Sequence, residues 1–210
     1  LQGGEAMIEN YKDFKKFITT LEYTPKLLLH SCCAPCSSHV LILLKAYFDI
    51  TVFYSNDNIY PEEEYLKRLD EEMMFCNQLD PEIKVIYDTY KKEDYDQIVK
   101  GYETLGERSQ RCYACYKLRL EKTASKAKAL GFDFFTTTLS ISPYKNSQWI
   151  NEIGQALEKK YGVSFLYSDF KKEEGYKHSI ALSKTYHLYR QEYCGCQYSL
   201  EERMKQDGKE

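Results

Sequence analysis

The sequence predicts an α/β fold: one domain built on a doubly wound, Rossmann-like (HUP-like) parallel sheet with helices on both faces. Short apolar runs alternate with amphipathic segments from Lys26 onward, the pattern of strands and helices in turn. The stretches between successive apolar runs are long enough to hold a helix, which favours parallel pairing through crossovers. No repeat, low-complexity tract or linker divides the 210 residues, a length that buries a core without covalent staples.

Residues 8–22 carry apolar side chains at helical spacing (Ile8, Tyr11, Phe14, Phe17, Ile18, Leu21) and end before Pro25. The run Lys26 to His30 reads as a buried strand leading into Cys32-Cys33-Ala34-Pro35-Cys36. Ser37 and Ser38 then read as caps for a helix over His39 to Phe48. Ile50 to Tyr54 is the second strand, Ser55 to Pro61 a polar loop, and Glu62 to Leu79 a charged helix. Lys84 to Tyr87 is the third strand, and a helix runs over Asp94 to Val99. A loop, Gly101 to Arg111, leads to Cys112-Tyr-Ala-Cys115, which opens the helix Tyr116 to Leu130 with Gly131 as its C-cap. Phe134 to Thr138 is the fourth strand, Ser147 to Tyr161 a helix, Val163 to Tyr167 the fifth strand, and Tyr176 to Tyr189 the last helix before Cys194-Gly-Cys196. The expected organisation is therefore an N-terminal helix with a tag remnant (1–25), the α/β domain (26–200) and a charged tail (201–210).

In such sheets ligands bind beyond the carboxyl ends of the strands. That places Cys32 to Cys36, the 55–61 loop and the Thr138 to Tyr144 loop together. Nucleotide folds put glycines after the first strand so that amides approach phosphates, but the chain has no G-x-G-x-x-G, Walker lysine or Ser-Gly-Gly loop there. Cysteines occupy that position instead.

Seven of the eight cysteines fall into three clusters: 32/33/36, 112/115 and 194/196. Without a secretory segment or an apolar run near the roughly 20 residues of a membrane span, the chain reads as cytoplasmic, where clustered thiols bind metal or cycle during catalysis. Cys32, Cys33, Cys112 and Cys115 offer four thiolates from two loops, a set that suits a 4Fe–4S cluster; spacing alone leaves zinc open. Cys36 is spare in that assignment, and its neighbours His30, His39 and Asp57 offer nitrogen and oxygen donors beside it for a second, mononuclear metal. Cys194 and Cys196, one residue apart, form a strained and easily reduced bridge when closed, which suits redox cycling. Cys76, among Met73, Met74 and Phe75, reads as an inert core thiol.

The net charge of −3 gives no global attraction for nucleic acid, so a polyanion must meet a local basic surface. Arg111, Arg119, Lys171, Lys172, Lys177 and Arg190 are the candidates, interleaved with some of the twenty tyrosines, which suit base stacking. The ordinary reading of such runs is a solvated helix face.

With these residues in hand, the chain resembles the cobalamin-independent epoxyqueuosine reductase family, QueH. The matching segments are LLLHSCCAPCSSHVL (27–41), FYSNDNIYPEEEYLKR (53–68), RCYACYKLRLEKTA (111–124), FDFFTTTLSISPYKN (132–146) and DFKKEEGYKHSIALSKTYHLYRQEYCGCQYS (169–199). The resemblance implies reductive removal of the epoxide oxygen from epoxyqueuosine at the wobble position of a tRNA, giving queuosine with electrons from an unidentified donor. It also implies a 4Fe–4S cluster on Cys32, Cys33, Cys112 and Cys115, a redox-active pair at Cys194 and Cys196, and a further iron. Asp57, Tyr60 and Tyr144 are candidate proton donors on strand-end loops. A zinc-stabilised RNA-binding module and a protein thiol–disulfide oxidoreductase are the rival readings.

Overall fold

The computed structural model describes residues 8–208; the expected tag remnant and the last two residues of the charged tail lie outside the described residues. Five strands, β1 (Lys26–Ser31), β2 (Asp49–Tyr54), β3 (Lys84–Tyr87), β4 (Phe134–Thr137) and β5 (Ser164–Phe165), pair in the order β3-β2-β1-β4-β5. Every pairing is parallel, with Leu28 opposite both Thr51 of β2 and Phe135 of β4. The helices are α1 (Tyr11–Thr19), α2 (Ala34–Leu44), α3 (Glu62–Leu79), α4 (Lys92–Val99), α5 (Gln110–Leu130), α6 (Ser147–Tyr161), α7 (Gly175–Thr185) and α8 (Gln197–Gln206).

Side chains alternate across a strand, and β1 shows the consequence. Leu27 and Leu29 join Phe14, Leu41, Leu44 and Phe75 of α1, α2 and α3 on one face. Leu28 joins Leu120, Ala124, Ile150 and Ile153 of α5 and α6 on the other. All three leucines are completely buried, each contributing about 1.5–3 kcal/mol. The sheet is thus covered on both faces, as the uninterrupted apolar run predicts.

Local chemistry sets the element ends. The Asn10 side chain accepts from the amides of Lys12 and Asp13 to start α1, and Asn146 accepts from Trp149 N to start α6. Gly131 closes α5 at φ 71°, the left-handed geometry expected of it.

Several boundaries differ from expectation. Helix α2 begins at Ala34 with Cys33 as its N-cap residue. Ser37 and Ser38 lie inside it, their hydroxyls donating back to the Ala34 and Pro35 carbonyls. Helix α5 takes in the whole Cys112–Cys115 segment, beginning after Ser109. Strand β5 is two residues long, pairing only with Phe134 and Phe135 of β4, and β4 runs on to Thr137 before the 3-10 turn Thr138–Ile141. Part of the charged tail is α8, anchored by an ion pair between Glu202 and Arg111 at 3.1 Å.

Candidate metal and redox site

Strand order reverses between β1 and β4, so the carboxyl ends of these strands flank the crevice where doubly wound sheets bind ligands. Cys32 leaves β1 here, 3.9 Å from the Thr138 hydroxyl on the turn after β4. Cys33 is the N-cap residue of α2, and Cys36 lies in its first turn. The sulfurs of Cys32, Cys33 and Cys36 consequently all lie within 4.8 Å of one another. Cys36, spare in the four-ligand assignment, is a full member of this group, whereas Cys112 and Cys115 lie outside it.

The second pair occupies the first two turns of α5, a position where the helix dipole favours anions. The C-terminal pair folds back onto it: Cys196 and Cys115 pack in one cluster with Tyr95 and Val99. The Gln191 side chain donates to Cys33 Sγ at 2.7 Å, tying the same segment to the first group. All eight cysteines are free thiols.

Three cations stand among these sulfurs. Arg119 is 2 % exposed. Its Nη2 donates to Asn56 Oδ1 at 2.5 Å and its Nε lies 3.4 Å from His30 Nε2, while Asn56 Nδ2 donates to the Ser31 carbonyl. Arg68, also buried, pairs with Glu64 at 2.7 Å and donates to the Cys194 carbonyl. Lys145, half-buried, donates to Cys194 Sγ at 3.4 Å. Among the described residues no carboxylate pairs with Arg119 or Lys145. An unpaired interior cation is costly, and the groups beside these two are sulfurs, Cys115 and Cys32 for Arg119 and Cys194 for Lys145.

The thiols respond to that field and to burial. Hydrogen bonds from Cys33 and Cys36 hold the Cys32 thiol well below its ordinary range, with Arg119 and Lys145 assisting. Burial pushes Cys33 and Cys115 up to about 12. Burial also opposes the charge on Lys145, but the neighbouring Cys194, Cys32 and Cys36 outweigh it and hold the ammonium well above its ordinary value. His30, pushed down to about 3 by burial and then by Arg119, is neutral and faces Thr137 and the Ser55 carbonyl.

A polar cavity of about 410 Å³ opens onto these groups, lined among others by Cys32, Cys36, Cys194, Lys145, Tyr144 and Tyr176. Its size lies in the roughly 300–1,000 Å³ range of small-ligand pockets. The lining mixes thiols, cations, carboxylates and aromatic rings.

Three expectations are corrected here. Arg111 is 2 % exposed and held by Glu202, the Glu103 carbonyl and the Tyr198 ring, so like Arg119 it is interior and offers nothing to a polyanion. Arg111, Cys115 and Arg119 recur every fourth residue, a spacing that puts them on one face of α5; that was the readable signal. Asp57 is buried, bonded to Lys122 at 2.5 Å and to the Lys91 amide at 3.0 Å, so its carboxylate is committed to α4 and α5 rather than to the thiols.

The other expected residues lie at the surface. Tyr60 is exposed; its backbone brackets the Cys194–Cys196 loop, with its amide on the Gly195 carbonyl at 2.8 Å and its carbonyl on the Tyr193 hydroxyl. Tyr144, 57 % exposed, stands at the cavity with Arg108 over its ring. Lys172, Lys177 and Arg190 are exposed, Lys177 against Glu174 and Arg190 against Ser183 and the cavity; Lys171 is half-buried against Asp169. Arg68, Lys145 and Gln191 were not expected at all. Only the folded chain brings them to the sulfurs, Lys145 and Cys194 being 49 residues apart in sequence.

The family model described as epoxyqueuosine reductase QueH matches residues 27–202, which include every cysteine of the three clusters. The chain belongs to the QueH family. It is 42% identical over 179 residues to the epoxyqueuosine reductase QueH of Streptococcus pyogenes, covering 83% of this chain and 70% of the relative. The relative from Staphylococcus aureus is 40% identical over 200 residues, covering 90% and 83%, and that from Thermotoga maritima 40% identical over 180 residues, covering 84% and 91%. Among solved structures, a predicted subunit of a tRNA methyltransferase from Methanocaldococcus jannaschii superposes with a TM-score of 0.54 at 14% identity, covering 87% of this chain and 88% of the other. That likeness concerns the fold, and it agrees with the doubly wound architecture.

Proposed function

We propose that this protein removes the epoxide oxygen of epoxyqueuosine at the wobble position of a tRNA anticodon, in the cytoplasm, leaving queuosine. The observation that carries this reading is a polar cavity at the switch point lined by the first and third cysteine segments, with Cys115 of the second packed against Cys196, in a chain of the QueH family. Cys32, Cys33, Cys112 and Cys115 would hold a 4Fe–4S cluster, and Cys36 a further iron beside it. The all-sulfur donor set and the buried, carboxylate-free Arg119 fit such a group, because thiolate-bound iron is anionic and needs buried counter-charge. When bound, such a group would supply single electrons and Lewis-acid polarisation of the substrate oxygen.

The chain's own residues supply the rest. Arg119, fixed by Asn56, holds positive charge between the first two cysteine segments. Cys194 faces the cavity while Cys196 is buried on the Ser199 hydroxyl. The pair stores two electrons as dithiol and releases them on closing. Tyr144 and Tyr176 give the cavity aromatic walls for a base or ring, and Lys171, Lys172, Lys177 and Arg190 form the local basic surface for the tRNA backbone.

The test is conversion itself. Anaerobically reconstituted protein is incubated with tRNA carrying epoxyqueuosine and a low-potential one-electron reductant, and the tRNA is digested and its nucleosides are resolved by mass spectrometry. Queuosine is expected. Unchanged epoxyqueuosine, with iron and sulfide at full occupancy, would refute the proposal.

A further inference from the structure

We propose that the Lys145 ammonium is a catalytic residue that binds the departing epoxide oxygen and hands it a proton; this rests on the reductase reading above. Its backbone is pinned. The Lys145 amide donates to the Ser142 carbonyl at 3.2 Å, and its carbonyl accepts from Lys171 Nζ at 3.4 Å. Lys171 is itself tied to Asp169, and the next residue, Asn146, caps α6. The side chain therefore enters the cavity from a fixed point, and the same cavity is lined by Cys32 and Cys36 from one segment and Cys194 from another.

The ammonium has three donors, and its hydrogen-bond partner among the described residues is a single sulfur, Cys194 Sγ. Two donors are left for a ligand. The competing proton sources are placed less well. Asp57 is spent on Lys122 and the Lys91 amide, the Tyr193 hydroxyl donates to the Tyr60 carbonyl, and Tyr144 is mostly exposed. Lys145 combines a lasting positive charge, partial burial and contact with a thiol of the redox pair. A fixed cation in such a site stabilises negative charge on a reacting oxygen far better than it would in water.

Deoxygenation breaks both carbon–oxygen bonds of the epoxide, forms the ring C=C bond and two O–H bonds, and takes up two electrons and two protons. The electrons come from an external low-potential one-electron reductant. One proton passes from the Lys145 ammonium to the leaving oxygen; the second, and the proton that restores the lysine, come from water.

The experiment compares wild type, Lys145→Met and Lys145→Arg as anaerobically reconstituted holoenzymes acting on epoxyqueuosine tRNA, with iron, sulfide and absorption measured on each sample. Lys145→Met should keep its chromophore and its KM within about twofold while kcat falls roughly 100- to 10,000-fold, and Lys145→Arg should regain at least about tenfold. A Lys145→Met enzyme with kcat within about threefold of wild type overturns the proposal. So does loss of iron from that variant, which would make Lys145 a support of the metal. If wild type with full iron converts nothing, the reductase reading fails and this role falls with it; conversion by wild type with unimpaired Lys145→Met removes this role alone.

Discussion

Glu72 carries a prediction that the structure makes quantitative. Its carboxyl is completely buried beneath the first cysteine segment, with Ser31 Oγ donating to it at 2.9 Å and Cys76 Sγ at 3.7 Å. Burial raises its pKa from 4.5 to about 7 against the lowering effect of those hydrogen bonds. In the unfolded chain the carboxyl loses its proton near 4.5, whereas the folded protein keeps it until about 7. Between these values the unfolded state binds fewer protons, so stability falls as pH rises and the loss is complete above the folded value. At about 1.4 kcal/mol per unit the loss amounts to about 3 kcal/mol. For a chain of this size that corresponds to roughly 6–12 °C in Tm. Glu72→Gln keeps the shape of the protonated acid and removes the titration. Thermal unfolding of both proteins from pH 4 to 8 should therefore show near-equal Tm at the acid end and a progressively more stable variant up to pH 7. A Tm difference that stays constant over that range would refute the reasoning.

Other expectations follow from the site. Gly195 sits at φ +125°, and a Cβ there would lie 3.0 Å from Arg68 Nη1 and 3.2 Å from Ile59 Cγ1; Gly195→Ala should cost about 1–3 kcal/mol from backbone strain and slow turnover, and an unchanged Tm would contradict the loop geometry. Arg119→Met removes the buried counter-charge between Cys32 and Cys115, a loss on the order of 3–5 kcal/mol for a broken buried pair, and should lower iron per chain after identical reconstitution; full occupancy would show that the guanidinium does not support the metal. Lys171→Ala/Lys172→Ala should weaken binding of an anticodon stem-loop and reduce its salt slope by roughly 0.7–1 per lost phosphate contact, with absorption unchanged; affinity that ignores salt would remove the basic surface from the account.

Much of the fold was legible because its signals are local. The apolar runs end where strands β2 and β3 end and one residue short of the end of β1, and α3 and α6 occupy the ranges that amphipathic spacing predicts. The start of α2 was misread because Ser37 and Ser38 look like caps, although Pro35 in the first turn is itself a helix-start signal. The cysteine segments were legible as clusters, but their grouping was not. Cys36 joins Cys32 and Cys33 because α2 begins early, and Arg111 and Arg119 turn inward because they share a helical face with Cys115. Lys145 and Gln191 reach the sulfurs through tertiary folding alone, and no local pattern marks them.

The central claim is that the sulfur-lined crevice holds an iron–sulfur cluster, and elemental analysis of anaerobically purified protein tests it most directly. The account predicts brown protein with broad absorption near ~400 nm and roughly four irons and four acid-labile sulfides per chain, with additional iron beside them. Stoichiometric zinc, with neither iron nor sulfide, in protein that converts epoxyqueuosine at full rate would contradict it.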